Sequence, residues 1–220
     1  MSRQFVIIGL GRLGTAMLRT LDSLGHEVLG IDTDERRIQD LADEFPNAHL
    51  VAADATDEVV LEGLNVGKFD GAAVVIGENM EAGILATANL KELGVPSVTS
   101  RALSRLHARV LEKIGADRIV QPEREMGRQL ARTMASPAIL EYLDLGEDEA
   151  LLEIETPEQW VGQTLVDLQL ARKLGLTVVA LKPREGGGTI PRGDTELGRG
   201  DVLVIGGPKK NLDRLDLLRG

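Results

Sequence analysis

The feature that most constrains this chain lies in its first fourteen residues. An aliphatic run, Phe5-Val6-Ile7-Ile8, opens directly into Gly9-Leu10-Gly11-Arg12-Leu13-Gly14, and an amphipathic helical pattern follows. Strand, glycine turn and helix in that order make the first half of a βαβ unit. The three glycines answer different needs. Gly9 turns the chain tightly after the strand, Gly11 admits a pyrophosphate against the backbone, and Gly14 lets helix and strand pack closely. The free N–H groups and positive dipole end of the helix then face the phosphates. A GxGxxG pattern by itself is common, but here a second strand, Val28-Leu29-Gly30-Ile31-Asp32, ends in an acid eighteen residues beyond Gly14. That is the spacing at which a carboxylate meets ribose hydroxyls. Asp32 is thus the ribose candidate, and Gly9, Gly11, Arg12, Leu13 and Gly14 form the phosphate turn.

The same alternation continues as far as Pro122. It predicts strands over 5–9, 27–32, 49–53, 71–76, 97–101 and 118–121, with helices over 13–24, 34–44, 57–64, 79–93 and 103–114. Strands alternating with helices give an α/β, Rossmann-like doubly wound parallel sheet over 1–122. Beyond it, 123–142 reads as helix, with Met126, Leu130 and Met134 at four-residue spacing and Pro137 expected to break or kink it. Such a stripe either faces a core or projects as a dimerisation arm. Its place after a completed sheet favours the arm, so 123–145 is read as a helical linker. Past an acidic turn, a strand over 151–155, a helix over 164–174, strands over 177–182 and 202–205 and a closing helix over 212–218 predict a small α+β domain over 146–220. A unit of that size is marginal alone, which predicts pairing with another copy.

Composition removes several function classes. The 220 residues carry a net charge of −10, which argues against a nucleic-acid partner, because duplex binding needs a concentrated basic surface. The absence of cysteine excludes disulfides and thiolate chemistry. The chain enters its first strand without a leader pattern, and no run approaches the roughly 18 apolar residues of a membrane span. A soluble cytoplasmic protein without direct membrane insertion is expected. His26, His49 and His107 fall away from strand carboxyl ends and read as structural; no Ser/His/Asp order, metal-binding pair or Walker-type GK(S/T) loop emerges.

Other candidates cluster at strand ends. Asp54, in Asp54-Ala55-Thr56 after the third strand, suits the adenine base; its plainer role is a helix cap, which Thr56 or Asp57 would fill better. Gly77, Glu78 and Asn79 follow the fourth strand, across the crevice from the glycine turn. Glu78 faces a phosphate only with a cation between, and is otherwise a helix N-terminal acid. Arg12 stands inside the turn, where its guanidinium can pair phosphate oxygens bidentately, so a free terminal phosphate, as in ATP or ADP, suits it better than the internal pyrophosphate of NAD. Arg101, at the end of the fifth strand, adds a second cation or is a surface residue.

Four segments together resemble the regulator of potassium conductance (RCK) family, in particular the cytosolic gating subunits of Ktr and Trk potassium uptake systems. They are the glycine turn with its strand, Asp54-Ala55-Thr56, the run from Leu111 to Glu123 containing Gly115-Ala116-Asp117-Arg118-Ile119-Val120-Gln121-Pro122-Glu123, and Pro191 with Gly200-Asp201-Val202-Leu203-Val204-Ile205-Gly206. The resemblance implies dimers assembled into an octameric ring, docked on a membrane potassium-translocating subunit, with ATP and ADP competing for the crevice. It implies that Arg12 reaches the terminal phosphate, Asp32 the ribose, and Asp54 with Thr56 the base, while Glu123 binds a divalent cation or sodium. In some relatives the second domain binds cyclic di-AMP; Leu165, Val166, Arg172 and Pro191 are the positions here. One departure counts against that ligand: the arginine of the relatives' LxxR pattern is Ala171, with Arg172 one residue later, a helical rotation of about 100°. Two other readings stay open, a nicotinamide-dependent oxidoreductase and a free-standing nucleotide or cyclic-dinucleotide sensor.

Overall fold

The aliphatic runs of the amino-terminal half pair side by side as parallel strands, each reached from the last through a helix that covers one face of the sheet. The computed structural model describes residues 2–135, 139–146 and 148–215. β1 (Gln4–Ile8), β2 (Glu27–Asp32), β3 (His49–Ala52), β4 (Gly71–Val74), β5 (Val98–Arg101) and β6 (Arg118–Val120) lie in the order β3-β2-β1-β4-β5-β6. Helices α1 (Arg12–Ser23), α2 (Glu35–Glu44), α3 (Glu58–Gly63), α4 (Met80–Glu92) and α5 (Arg105–Lys113) connect them. This is the doubly wound sheet that the sequence predicts.

Alternation along β1 sorts the core. Val6 and Ile8 pack on one face with Leu61 of α3 and Ala86 and Leu90 of α4. Ile7, between them, packs on the other with Leu18 of α1 and Ile38 and Leu41 of α2. β1 is flanked by β2 on one side and β4 on the other, Val6 lying beside Leu29 and Ala72. The strand order therefore reverses at β1, and the loops leaving β1 and β4 flank the crevice where an open sheet of this kind receives its ligand.

By its internal contacts the chain separates into two units, Met1–Pro122 and Glu123–Gly220. At the boundary stands α6 (Pro122–Ala135). In the second unit β7 (Ile139–Asp144), β8 (Glu149–Glu155), β9 (Thr177–Lys182) and β10 (Val202–Pro208) form an antiparallel sheet in the order β7-β8-β10-β9. Ala150, Leu152 and Ile154 of β8 alternate inward, and with Leu203 and Ile205 of β10 they meet Leu168, Leu176 and Leu212 in one apolar core.

Three expectations for this half are corrected. Residues 123–142 are not one helix, and 123–145 is not wholly a helical linker: α6 ends at Ala135, and Ile139–Asp144 is the edge strand β7. A bulge between Ile139 and Glu141 adds a residue to β7, so Ile139 and Tyr142, three apart, both face the core. That spacing imitates helical periodicity. Pro137 lies outside the described residues. The helix expected over 164–174 is two short ones, α7 (Leu165–Leu168) and α8 (Leu170–Leu174), separated by Gln169 in the left-handed region at φ 53°. The closing helix is α9 (Lys209–Leu212), earlier than expected; of the 212–218 segment, 216–218 lie outside the described residues.

Candidate functional site

Each glycine of the turn is required for its own reason. Gly9 adopts φ +92°, and a Cβ there would lie 3.0 Å from the Ile76 nitrogen, so the loops after β1 and β4 touch at this point. A Cβ on Gly14 would stand 1.9 Å from the Gly9 carbonyl oxygen, which no side chain survives. Gly11 is different: a Cβ there meets nothing within 4 Å. Protein packing does not explain Gly11; the space beside it is open, as close approach of a ligand to the backbone would require. Gly11 is also the N-cap of α1 and supplies no side-chain cap, and the first turn holds no acid. The other helices of this sheet are capped by side chains: α2 by Asp34, α3 by Asp57, α4 by Asn79 and α5 by Ser104. The amino end of α1 thus keeps backbone donors and a positive dipole end beside the crevice. Arg12, its first residue, is exposed, and Leu13 is half-buried behind it.

Asp32 ends β2 beside this turn and is buried. Its Oδ2 accepts from the Leu10 amide at 2.7 Å and its Oδ1 from the Asp34 amide at 2.9 Å. The Arg37 guanidinium donates from one nitrogen to both oxygens, at 2.9 and 2.8 Å. Burial pushes the carboxyl up, but the Asp34 and Leu10 amides and Arg37 outweigh it and hold the group below its ordinary range. Asp32 therefore stays anionic, tied to the glycine turn through Leu10.

At β3, the Asp54 Oδ1 accepts from the Thr56 amide at 2.9 Å and the Thr56 hydroxyl at 2.8 Å, and these bonds lower its pKa. Its alternative role as a helix cap is filled by Asp57, which accepts from the Val59 amide. Ala55 between them is buried, and the Thr56 carbonyl accepts from Asn89 of α4. After β4, Gly77 and Glu78 are exposed, and the Asn79 Oδ1 is committed to the Ala82 amide. Gly77 lies beside Arg101: a Cβ on it would be 3.7 Å from a guanidinium nitrogen. A methyl at Gly77 would make ordinary van der Waals contact with that cation. The turn, Asp32, the β3 end and the Gly77/Arg101 pair thus sit along the carboxyl edge of one sheet, and their donors and open backbone fit an anionic nucleotide.

The TrkA-N domain model matches residues 5–122 and the TrkA-C domain model residues 150–219. The Ktr system potassium uptake protein C of Bacillus subtilis (strain 168) is 38% identical over 216 residues, covering 98% of this chain and 97% of that protein. The Ktr system potassium uptake protein A of Vibrio alginolyticus is 38% identical over 210 residues, covering 96% and 94%. This chain belongs to the RCK family. In three dimensions it resembles the GsuK channel, in a structure with NAD bound, at a TM-score of 0.72 and 20% identity; it is matched along its whole length but spans only 40% of that channel chain.

In this RCK chain, Glu123 stands in the first turn of α6 and is exposed. Among the described residues no group of three or more His, Asp or Glu side chains is assembled that could hold a metal ion. Leu165 and Val166 open α7; Val166 is 63% exposed, and its amide donates to the Gly193 carbonyl at 2.9 Å, which ties it to the turn that carries Pro191. Arg172 lies on α8, beyond the break at Gln169. No helix among the described residues is long and apolar enough to cross a membrane.

One residue of the site escaped the sequence. Arg37 sits in a charged stretch, Asp34-Glu35-Arg36-Arg37, that reads as a solvated helix start; only its third position on α2 brings it onto Asp32. His107, read from the sequence as structural, is buried, its Nδ1 accepting from the Leu103 amide; nearby, Thr87 of α4 shares a buried hydroxyl hydrogen bond of 2.8 Å with Ser100 of β5.

Proposed function

We propose that this chain is a nucleotide-sensing regulatory subunit of a Ktr-type potassium uptake system, working at the cytoplasmic face of a membrane potassium-translocating partner. The observation that carries the reading is the phosphate turn: Gly11 faces open space at the uncapped end of α1, beside the buried carboxylate of Asp32. Relatives named for potassium uptake at 38% identity over nearly the whole chain support the transport role. In this reading ATP and ADP compete for the crevice. Arg12 meets the terminal phosphate, with Arg101 and the Gly77-Glu78-Asn79 loop lining the opposite wall, and Asp54 with Thr56 meets the base. Glu123 contributes to a cation site completed by other groups in the assembly. The subunits assemble as dimers into an octameric ring, with no catalytic turnover.

Regulation then amounts to a population shift, so ATP must favour one ring state more than ADP does. Moving a gate from 1:99 to 99:1 takes about 5.5 kcal/mol, which eight sites meet at under ~1 kcal/mol each. One additional phosphate on Arg12 is enough for that. Calorimetry with ATP, ADP and NAD tests the reading: Arg12→Ala should weaken ATP roughly tenfold more than ADP. Equal losses would remove the terminal-phosphate role, and heat with NAD alone would replace it with a dinucleotide site.

A further inference from the structure

The proposed ribose subsite carries an arginine seated on the very carboxylate that a ribose would use. A carboxylate offers about four lone-pair positions, and on Asp32 all are taken: one by the Leu10 amide, one by the Asp34 amide, and one on each oxygen by Arg37. The two amides belong to the turns after β1 and β2 and cannot leave without unmaking them. Arg37 can. Its side chain is 41% exposed, against 8% for Asp32, and its other attachment is a loose 3.4 Å ion pair with Asp34. The two acceptor positions that Arg37 fills are those that a 2′,3′-diol needs, since the other two point at backbone.

We propose that Arg37 is a displaceable latch on the ribose subsite and thereby a specificity-determining residue: a ribose diol enters by exchanging the guanidinium for its two hydroxyls. The inference rests on the nucleotide reading of the crevice. The exchange has a consequence for selectivity. While Arg37 is present, a nucleotide lacking one hydroxyl leaves an oxygen that the guanidinium reclaims, so the missing group costs little. Without Arg37 the same buried oxygen keeps only its backbone amide and its second acceptor position stays empty, so the missing hydroxyl costs more.

The test is calorimetric titration of the full-length chain and its Arg37→Met variant with ADP and with 2′-deoxy-ADP. Methionine keeps the apolar stem and supplies no donor. The latch predicts that the preference for ADP over 2′-deoxy-ADP rises about tenfold in the variant. Loss of a positive charge would weaken both ligands alike, so an unchanged ratio overturns the latch, and a reduced ratio makes Arg37 a direct ribose contact, which overturns it too. If Arg37→Met fails to fold, Arg37→Gln, with a shorter reach to one oxygen, should show a rise of a few-fold. A wild-type chain that binds neither ligand sinks the nucleotide reading and the latch together, whereas ADP binding with no change in ratio sinks the latch alone.

Discussion

Gly11 and Gly14, three residues apart, separate fold from ligand. At Gly14 an added methyl meets the Gly9 carbonyl oxygen at 1.9 Å, and backbone rather than a flexible side chain must give way. Gly14→Ala should lower unfolding stability by about 3 kcal/mol or more, at the upper end of overpacking effects. At Gly11 the backbone is already in a region open to any residue, φ −67°, and the space is clear. Gly11→Ala should cost under about 1 kcal/mol as a weaker N-cap, yet reduce nucleotide affinity by roughly tenfold or more, because its methyl occupies the approach to the phosphate. Urea melts and nucleotide titrations of the two variants check this; a Gly11→Ala chain that binds normally would mean that the phosphate lies elsewhere. The placement of these glycines and Asp32 around one turn was legible in the sequence, because a βαβ unit fixes both residue type and spacing. Arg37 was not, since a charged residue in the first turn of an amphipathic helix has the same pattern whether it faces water or a carboxylate.

Among the elements, legibility followed periodicity. The parallel sheet was readable because its central strands β1, β2 and β4 are short, largely buried apolar runs and the strands are set off by helices. β7 was misread because its bulge converts a period of two into a spacing of three, and the α7–α8 pair because Gln169 turns left-handed without a glycine to announce it. The α4–α5 packing makes a prediction of its own. Burial lowers the pKa of His107, and its Nδ1 can accept from the Leu103 amide only while unprotonated. The folded state thus binds this proton less readily than the unfolded chain, whose histidine titrates near pH 6.5. The contribution of neutral His107 is complete above about pH 6.5 and is lost as pH falls through the lowered folded value. Wild-type stability should decline between pH 7.5 and 5.5 more steeply than that of His107→Gln. Parallel slopes in urea unfolding at the two pH values would show that burial of this ring does not govern the fold.

For the whole molecule, the question is what covers α6. Met126, Leu130 and Met134 recur at four-residue spacing along it and are 52%, 54% and 83% exposed. The same unit carries a further apolar surface at Leu140 and Leu143 on the edge strand β7. Three large aliphatic side chains in one stripe make a surface that water disfavours, and a second copy of the same helix is the simplest cover, since a twofold pairing buries the stripe against itself. Because these side chains contribute little packing within a single chain, replacing them should separate assembly from folding. The triple variant Met126→Gln, Leu130→Gln, Met134→Gln should keep the thermal melting of its amino-terminal unit while native mass spectrometry shows the wild-type oligomer reduced to smaller species. Nucleotide titration of the same variant then asks whether the crevice works alone. Retained ADP binding with no ATP-over-ADP difference would place discrimination in the assembly, as the ring proposed above requires; an undiminished oligomer would remove α6 from the interface.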